Sequence, residues 1–278
     1  TATSPNFSLT SFDSNGFSLG TDMGVGDVNY SLQPHVAWNW KGGGSASSNS
    51  DGSITSSVSA NTTAGFSVGT FTAQSSGSAT VGHGLGVAPK LILTKSRTSA
   101  LSWYVYTETV GQNGWLNLDL DAVATTGNSA VWNPAPTSSV FTYGSGLVNT
   151  GDIVFYAFSE VAGYSKIGDY KGNGNNNGPF VYLGFRPAFI LIKRTDNTAE
   201  NWWLYDSVRN PSNPNTKFLY GDIPNAEIDA SSNADDQATD FYSNGVKITT
   251  SNVNWNADGS TYFYYAIAES PFKNARAR

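Results

Sequence analysis

The 278-residue chain has no cysteine, one methionine and two histidines, and only 13% of it is charged. Each shortage removes a class of protein. Without thiolates there is no disulfide framework, zinc finger or iron-sulfur site, and two histidines leave little from which to build a His-based metal site or a catalytic triad. Lysines and arginines are scattered and outnumbered by acids, 15 to 21. The sequence therefore lacks an electrostatic footprint for a phosphate backbone, and nucleic acid is not an expected partner. No run approaches the ~18 consecutive apolar residues of a spanning helix, so membrane insertion is not expected. No cofactor and no metal are expected.

What is plentiful is Gly, Ser, Thr and Asn, together with 13% aromatic residues. Polarity supplied this way removes the best helix formers and leaves short β-branched and aromatic runs between turn residues. Lys90–Lys95, Ile153–Phe158, Phe189–Lys193 and Tyr262–Ile267 are five or six residues long and are bounded, within a few positions on each side, by Gly, Asn, Asp, Ser or Pro. Those are strand lengths. The reading is all-β, with tandem antiparallel β-sandwich units.

The tandem organisation comes from internal repetition. The run Gly84–Lys95 returns as Tyr182–Lys193 at a shift of 98, and Ser102–Tyr106 returns as Asn201–Tyr205 at a shift of 99. Gly151–Glu160 returns at the end of the chain, with Ala157 on Ala266 at a shift of 109. Matches in the same order at nearly constant offset define two units, 65–162 and 163–272, the second followed by a tail to residue 278. Residues 1–45 repeat only the last part of a unit: Phe12–Phe17 matches Phe241–Val246, and His35–Trp40 falls where Phe155–Phe158 and Tyr264–Ile267 fall. The expectation is that Thr1 lies inside a longer polypeptide, or that the orphan strands pair with another subunit. Residues 46–64, rich in Gly and Ser, read as a flexible linker. The seven-residue step from Ala157 to Tyr164 is short enough to hold the two later units as a rigid pair.

Candidate chemistry is sparse. Paired-carboxylate catalysis needs two acids in contrasting environments, and only five glutamates exist: Glu108, Glu160, Glu200, Glu227 and Glu269. Glu160 and Glu269 occupy one repeat position and read as structural partners of the likewise repeated Lys95 and Lys193. Asp119 and Asp121 alternate and would share one face of a strand, which reads as a solvated face rather than a calcium or glycosidase pair. His83 in Gly82–Gly86 reads as part of a turn, since the glycines precede a strand rather than opening a helix. His35 reads as a strand imidazole. Eight tryptophans offer stacking surfaces for sugars. Trp38, Trp103 and Trp202 sit at repeat positions and read as core, as does Trp255 in the slot of Val148. Trp115 and Trp132 show no aromatic counterpart in the last unit and flank polar turns, so they are the candidate ligand-binding residues. Asn173–Gly178 reads as a tight polar loop.

Gly82–Pro89, Pro179–Phe189, Phe241–Gly245 and the ending Ala266–Phe272, taken together over almost the whole chain, resemble a repeat family of tail-fibre-like and other virion proteins of tailed bacteriophages, especially marine ones. The resemblance implies a virion structural protein of β-sandwich modules with lectin-like, jelly-roll character, located on the phage tail or particle surface. It implies other virion proteins and other copies of the chain as partners. It carries no catalytic or binding residues. With it, the expected role is non-enzymatic host-surface attachment, with a glycan as ligand. A capsid decoration or head-fibre protein is the alternative, and a glycan-depolymerising enzyme is a more distant one. A chain with no thiol and one methionine also offers little to oxidise outside a cell.

Overall fold

The computed structural model describes residues 9–13, 15–21, 28–30, 34–74, 77–147, 151–197, 200–233 and 238–270. Val148, Pro271 and Phe272, used above, lie outside them. Contacts divide the chain into two compact units, Thr1–Trp40 and Lys41–Arg278. The first holds a hairpin of β1 (Leu9–Asp13) and β2 (Gly16–Leu19), in which Phe12 opposes Phe17 and Asp13 opposes Gly16. Residues 35–40 are not a strand, and His35 and Val36 are exposed. Trp38 is half-buried rather than core.

In the second unit the first half contributes β3 (Ser47–Asn49), β4 (Ser56–Asn61), β5 (Phe66–Ala73), β6 (Ala79–Gly82), β7 (Leu91–Ser96), β8 (Tyr104–Thr107), β9 (Leu116–Asn117), β10 (Val140–Tyr143) and β11 (Gly151–Phe158). The second half contributes β12 (Ser165–Lys171), β13 (Phe180–Tyr182), β14 (Pro187–Arg194), β15 (Trp203–Asp206), β16 (Lys217–Tyr220), β17 (Ile228–Asp229), β18 (Thr239–Tyr242), β19 (Gly245–Ile248), the one-turn helix α1 (Val253–Asn256) and β20 (Thr261–Ala268). The first half is a large sheet, β3-β4-β5-β11-β7-β8-β9, beside a small one, β10-β6. The second is a large sheet, β12-β20-β14-β15-β16-β17, beside a small one, β13-β19-β18. All these strand pairs are antiparallel.

Period-two alternation gives each large sheet one face toward its small sheet. In the first half Phe71, Ile92, Ile153 and Phe155 meet Val81, Phe141 and Tyr143, and in the second Ile190, Ile192, Tyr262 and Tyr264 meet Val181, Phe241, Val246 and Ile248. Each such side chain contributes roughly 1.5–3 kcal/mol by leaving water. Each half is thus a β-sandwich.

The two halves share register. Ala157 lies between Ser67 and Ile92, and Ala266 lies between Lys166 and Ile190. Ile92 opposes Tyr106 as Ile190 opposes Tyr205. Val81 opposes Phe141 as Val181 opposes Val246. The offset widens farther on: Tyr104 opposes Asn117, and Trp203 opposes Tyr220. The hairpin of the first unit has the same pairing as β18–β19, where Phe241 opposes Val246 and Tyr242 opposes Gly245.

Residues 46–64 are not a linker. β3 and β4 extend the first large sheet, with Val58 buried, Ser56 Oγ donating to the Gly82 carbonyl at 2.7 Å and Ser59 Oγ to that of Gly44 at 2.7 Å. A Cβ on Gly43 would come within 1.9 Å of the Ala60 carbonyl oxygen. Glycine is used there for close backbone approach rather than flexibility.

Candidate functional site

Both candidate tryptophans are packing residues or their neighbours. Trp132 is fully buried in the first core, edge-on to Tyr106 and Tyr143. No ligand can stack on it, which corrects the expectation from sequence. Trp115 is half-buried, packs against the same core and stands edge-on to Tyr104 with centroids 5.9 Å apart. It does have an aromatic counterpart. The bridge Trp115–Thr125 matches the pair Phe218–Ile228, and Phe218 stands edge-on to Trp203 as Trp115 does to Tyr104. The match escapes sequence comparison because the offset has widened from 99 to 103 by that point.

The repeated acids and lysines also find other partners. Glu160 pairs with Lys90 at 3.3 Å and Glu269 with Arg186 at 3.4 Å. Lys95 donates to the Leu101 carbonyl and Lys193 to that of Glu200. Each lysine therefore fastens the turn that follows its own strand. Asp119 and Asp121 lie in a turn after β9 rather than on a strand face. The Asp119 carboxylate accepts from the Trp103 N–H at 3.1 Å, as Asp222 accepts from that of Trp202 at 3.1 Å.

His83 is buried and latches a turn: its Nδ1 accepts from the Leu85 N–H at 3.2 Å and its Nε2 lies 3.1 Å from the Thr137 carbonyl, to which it donates. Burial pushes its pKa below the usual imidazole value. The loop Asn173–Gly178 closes on Asn256, whose Nδ2 donates to Asn173 Oδ1 at 3.0 Å and to the Asn175 carbonyl at 2.8 Å.

The outer faces of the large sheets, turned away from the small sheets, carry the remaining chemistry. On the second half this face is buried against the first half: Ile167, Leu191, Lys193, Trp202, Phe263 and Tyr265 are all buried. Lys193 donates to the Asp121 carbonyl at 3.1 Å, Trp202 Nε1 to that of Asn117 at 2.8 Å, and Tyr265 packs on Phe158 with centroids 5.1 Å apart. Burial lowers the Lys193 pKa to about 8 and raises those of Glu200 and Asp222. Arg194 pairs with Glu200 at 3.3 Å beside them.

On the first half the outer face stays partly open, and one end of it forms a groove of about 420 Å³. Ser48 opposes Ser57 and Ser57 opposes Thr70, so hydroxyls from three adjacent strands form a row. Thr72, two residues along the same strand as Thr70, opposes Asp152 and donates to its Oδ1 at 3.0 Å, while the Arg97 N–H binds the Asp152 carbonyl at 2.8 Å. Arg97, Asp152, Ser48, Ser57 and Thr72 are exposed. Hydroxyls donate or accept, the guanidinium donates and the carboxylate accepts, which suits a neutral polyhydroxylated ligand. Among the described residues no group of three or more His, Asp or Glu could hold a metal ion. The groove is not legible in the sequence because its residues are spread from Ser48 to Asp152 and part of it falls in the Gly- and Ser-rich stretch 46–64.

The fold and groove define the class as an all-β protein of tandem antiparallel sandwich modules, with a hydroxyl-lined groove on an open sheet face. The chain belongs to the family described as domain of unknown function DUF7483, which matches residues 1–271. No curated protein and no solved structure matches it.

Proposed function

We propose that the chain is a non-enzymatic attachment module of a bacteriophage virion, part of a tail-fibre-like appendage, and that its groove takes a host-surface glycan. The observation that carries the ligand is the row Ser48–Ser57–Thr70 beside the neighbouring pair Thr72–Asp152 and Arg97, on a face that the second half buries in its own copy. The virion placement rests on the resemblance of the repeat motifs and on their tandem use. Among the residues lining the groove, Phe71 is the one aromatic and is buried. Hydrogen bonds rather than ring stacking would therefore hold the sugar. A glycan array tests the ligand. The expected result is binding that Arg97→Ala and Asp152→Ala each weaken at least tenfold, and binding unchanged in both variants would remove the groove from the account. Localisation on assembled particles tests the placement: the tail tip supports the appendage, and the shell supports a capsid decoration protein instead.

A further inference from the structure

We infer that the open outer face of the first large sheet is the docking surface for the loop 221–227 of a second copy of this chain, so that copies associate head to tail. Inside one chain the same contact already exists once. The loop 118–124 of the first half lies on the outer face of the second: the Asp121 carbonyl accepts from Lys193 Nζ at 3.1 Å and from the Glu200 N–H at 3.2 Å, and the Ala124 N–H donates to the Thr195 carbonyl at 3.0 Å. Both partners of that contact have a second version in the chain.

The first version is the receiving face. Val68, Leu93, Lys95, Trp103, Val154 and Tyr156 hold the register positions of Ile167, Leu191, Lys193, Trp202, Phe263 and Tyr265. The latter six are buried, while the former six are all half-buried. Lys95 makes the bond within its own half, to Leu101, that Lys193 makes to Glu200. An ammonium group has three donors. The bond that Lys193 adds to Asp121 has its counterpart at the carbonyl of Pro224 in another copy.

The second version is the inserting loop. Residues 221–227 match 118–124 in length and in anchoring: the Gly221 N–H binds the Trp202 carbonyl at 2.8 Å as the Leu118 N–H binds that of Trp103 at 3.2 Å. Asp222 and Asp119 cap equivalent tryptophans, and the loops close on equivalent pairs, Phe218–Ile228 and Trp115–Thr125. Residues 224–227 are exposed. Donor and acceptor surfaces differ, so the contact is heterologous and builds a ring or a filament rather than a two-fold dimer. The docked loop and a bound glycan would compete for the end of this face that Arg97 lines.

Sedimentation velocity of the full chain over a range of concentrations tests it. The expected result is concentration-dependent growth beyond a dimer. Trp103→Ala on the face and Ala226→Arg in the loop should each raise the dissociation constant at least tenfold, leaving monomers. Mixed in equal amounts, the two variants should form a species with one of each and nothing larger, because one intact face meets one intact loop. Near-ultraviolet circular dichroism checks folding, and Lys95→Glu replaces Trp103→Ala should that variant unfold. Wild-type chain that stays monomeric at its highest soluble concentration overturns the inference, and so does association that both variants retain or a mixture that gives no paired species.

Discussion

Trp103 and Trp202 hold the same position in successive copies of one sandwich, yet they face different surroundings. Trp202 is fully buried, with its Nε1 donating to the Asn117 carbonyl at 2.8 Å, whereas Trp103 is half-buried and lies stacked on Tyr156 at 6.1 Å. At low protein concentration, acrylamide quenching should therefore lose part of its accessible fraction in Trp103→Phe and none in Trp202→Phe. Trp202→Phe should also destabilise the chain by about 1 kcal/mol, since it removes the bond to the Asn117 carbonyl.

Trp132→Ala should cost about 3–5 kcal/mol in urea unfolding, the usual range for emptying a buried indole site. Trp115→Ala should cost less, because that ring is partly in solvent. Glycan binding in a folded Trp115→Ala protein should match wild type, since Trp115 does not line the groove.

Gly43→Ala should destabilise by about 1–3 kcal/mol, the scale of overpacking, because the added methyl meets the Ala60 backbone. Gly44→Ala serves as the contrasting case. Nothing lies within 4 Å of its Cβ, and only its φ of +102° opposes the change. A flexible segment would tolerate Gly43→Ala without loss.

His83 gives a pH dependence whose sign is fixed. Its folded pKa lies below the ordinary 6.5, so the unfolded chain binds more protons in the window between the two values. Its contribution to stability is complete above 6.5 and is lost as pH falls toward the folded value. Protonation also removes the Nδ1 acceptor used by Leu85. Urea midpoints measured between pH 7.5 and 5.5 should fall in the wild type and fall less in His83→Gln.

The main strands were legible in the sequence because their side chains decide them. Leu91–Ser96 and Thr261–Ala268 are short β-branched and aromatic runs, the second buried without a break from Tyr262 to Ala266, which fits a strand whether one face or both are covered. β3 and β4 were not legible, since a Ser- and Gly-rich composition also describes a tether. Their place is set by contacts with Gly82, Gly44 and Ala60 that only the folded chain brings near. The groove was hidden for the same reason. The aromatic excess was read as a ligand surface, but most of it fills two cores and the contact between halves. The repeat at Ala157 and Ala266 survived because an alanine sits at the same crossing of strands in both sheets.

The contact between the halves limits how this molecule can be taken apart. Cutting at residues 159–164 and keeping the second half would put Trp202, Phe263, Tyr265 and the Lys193 ammonium into water together, a sticky surface with a stranded cation at its centre. The downstream module therefore relies on its upstream neighbour to cover that face.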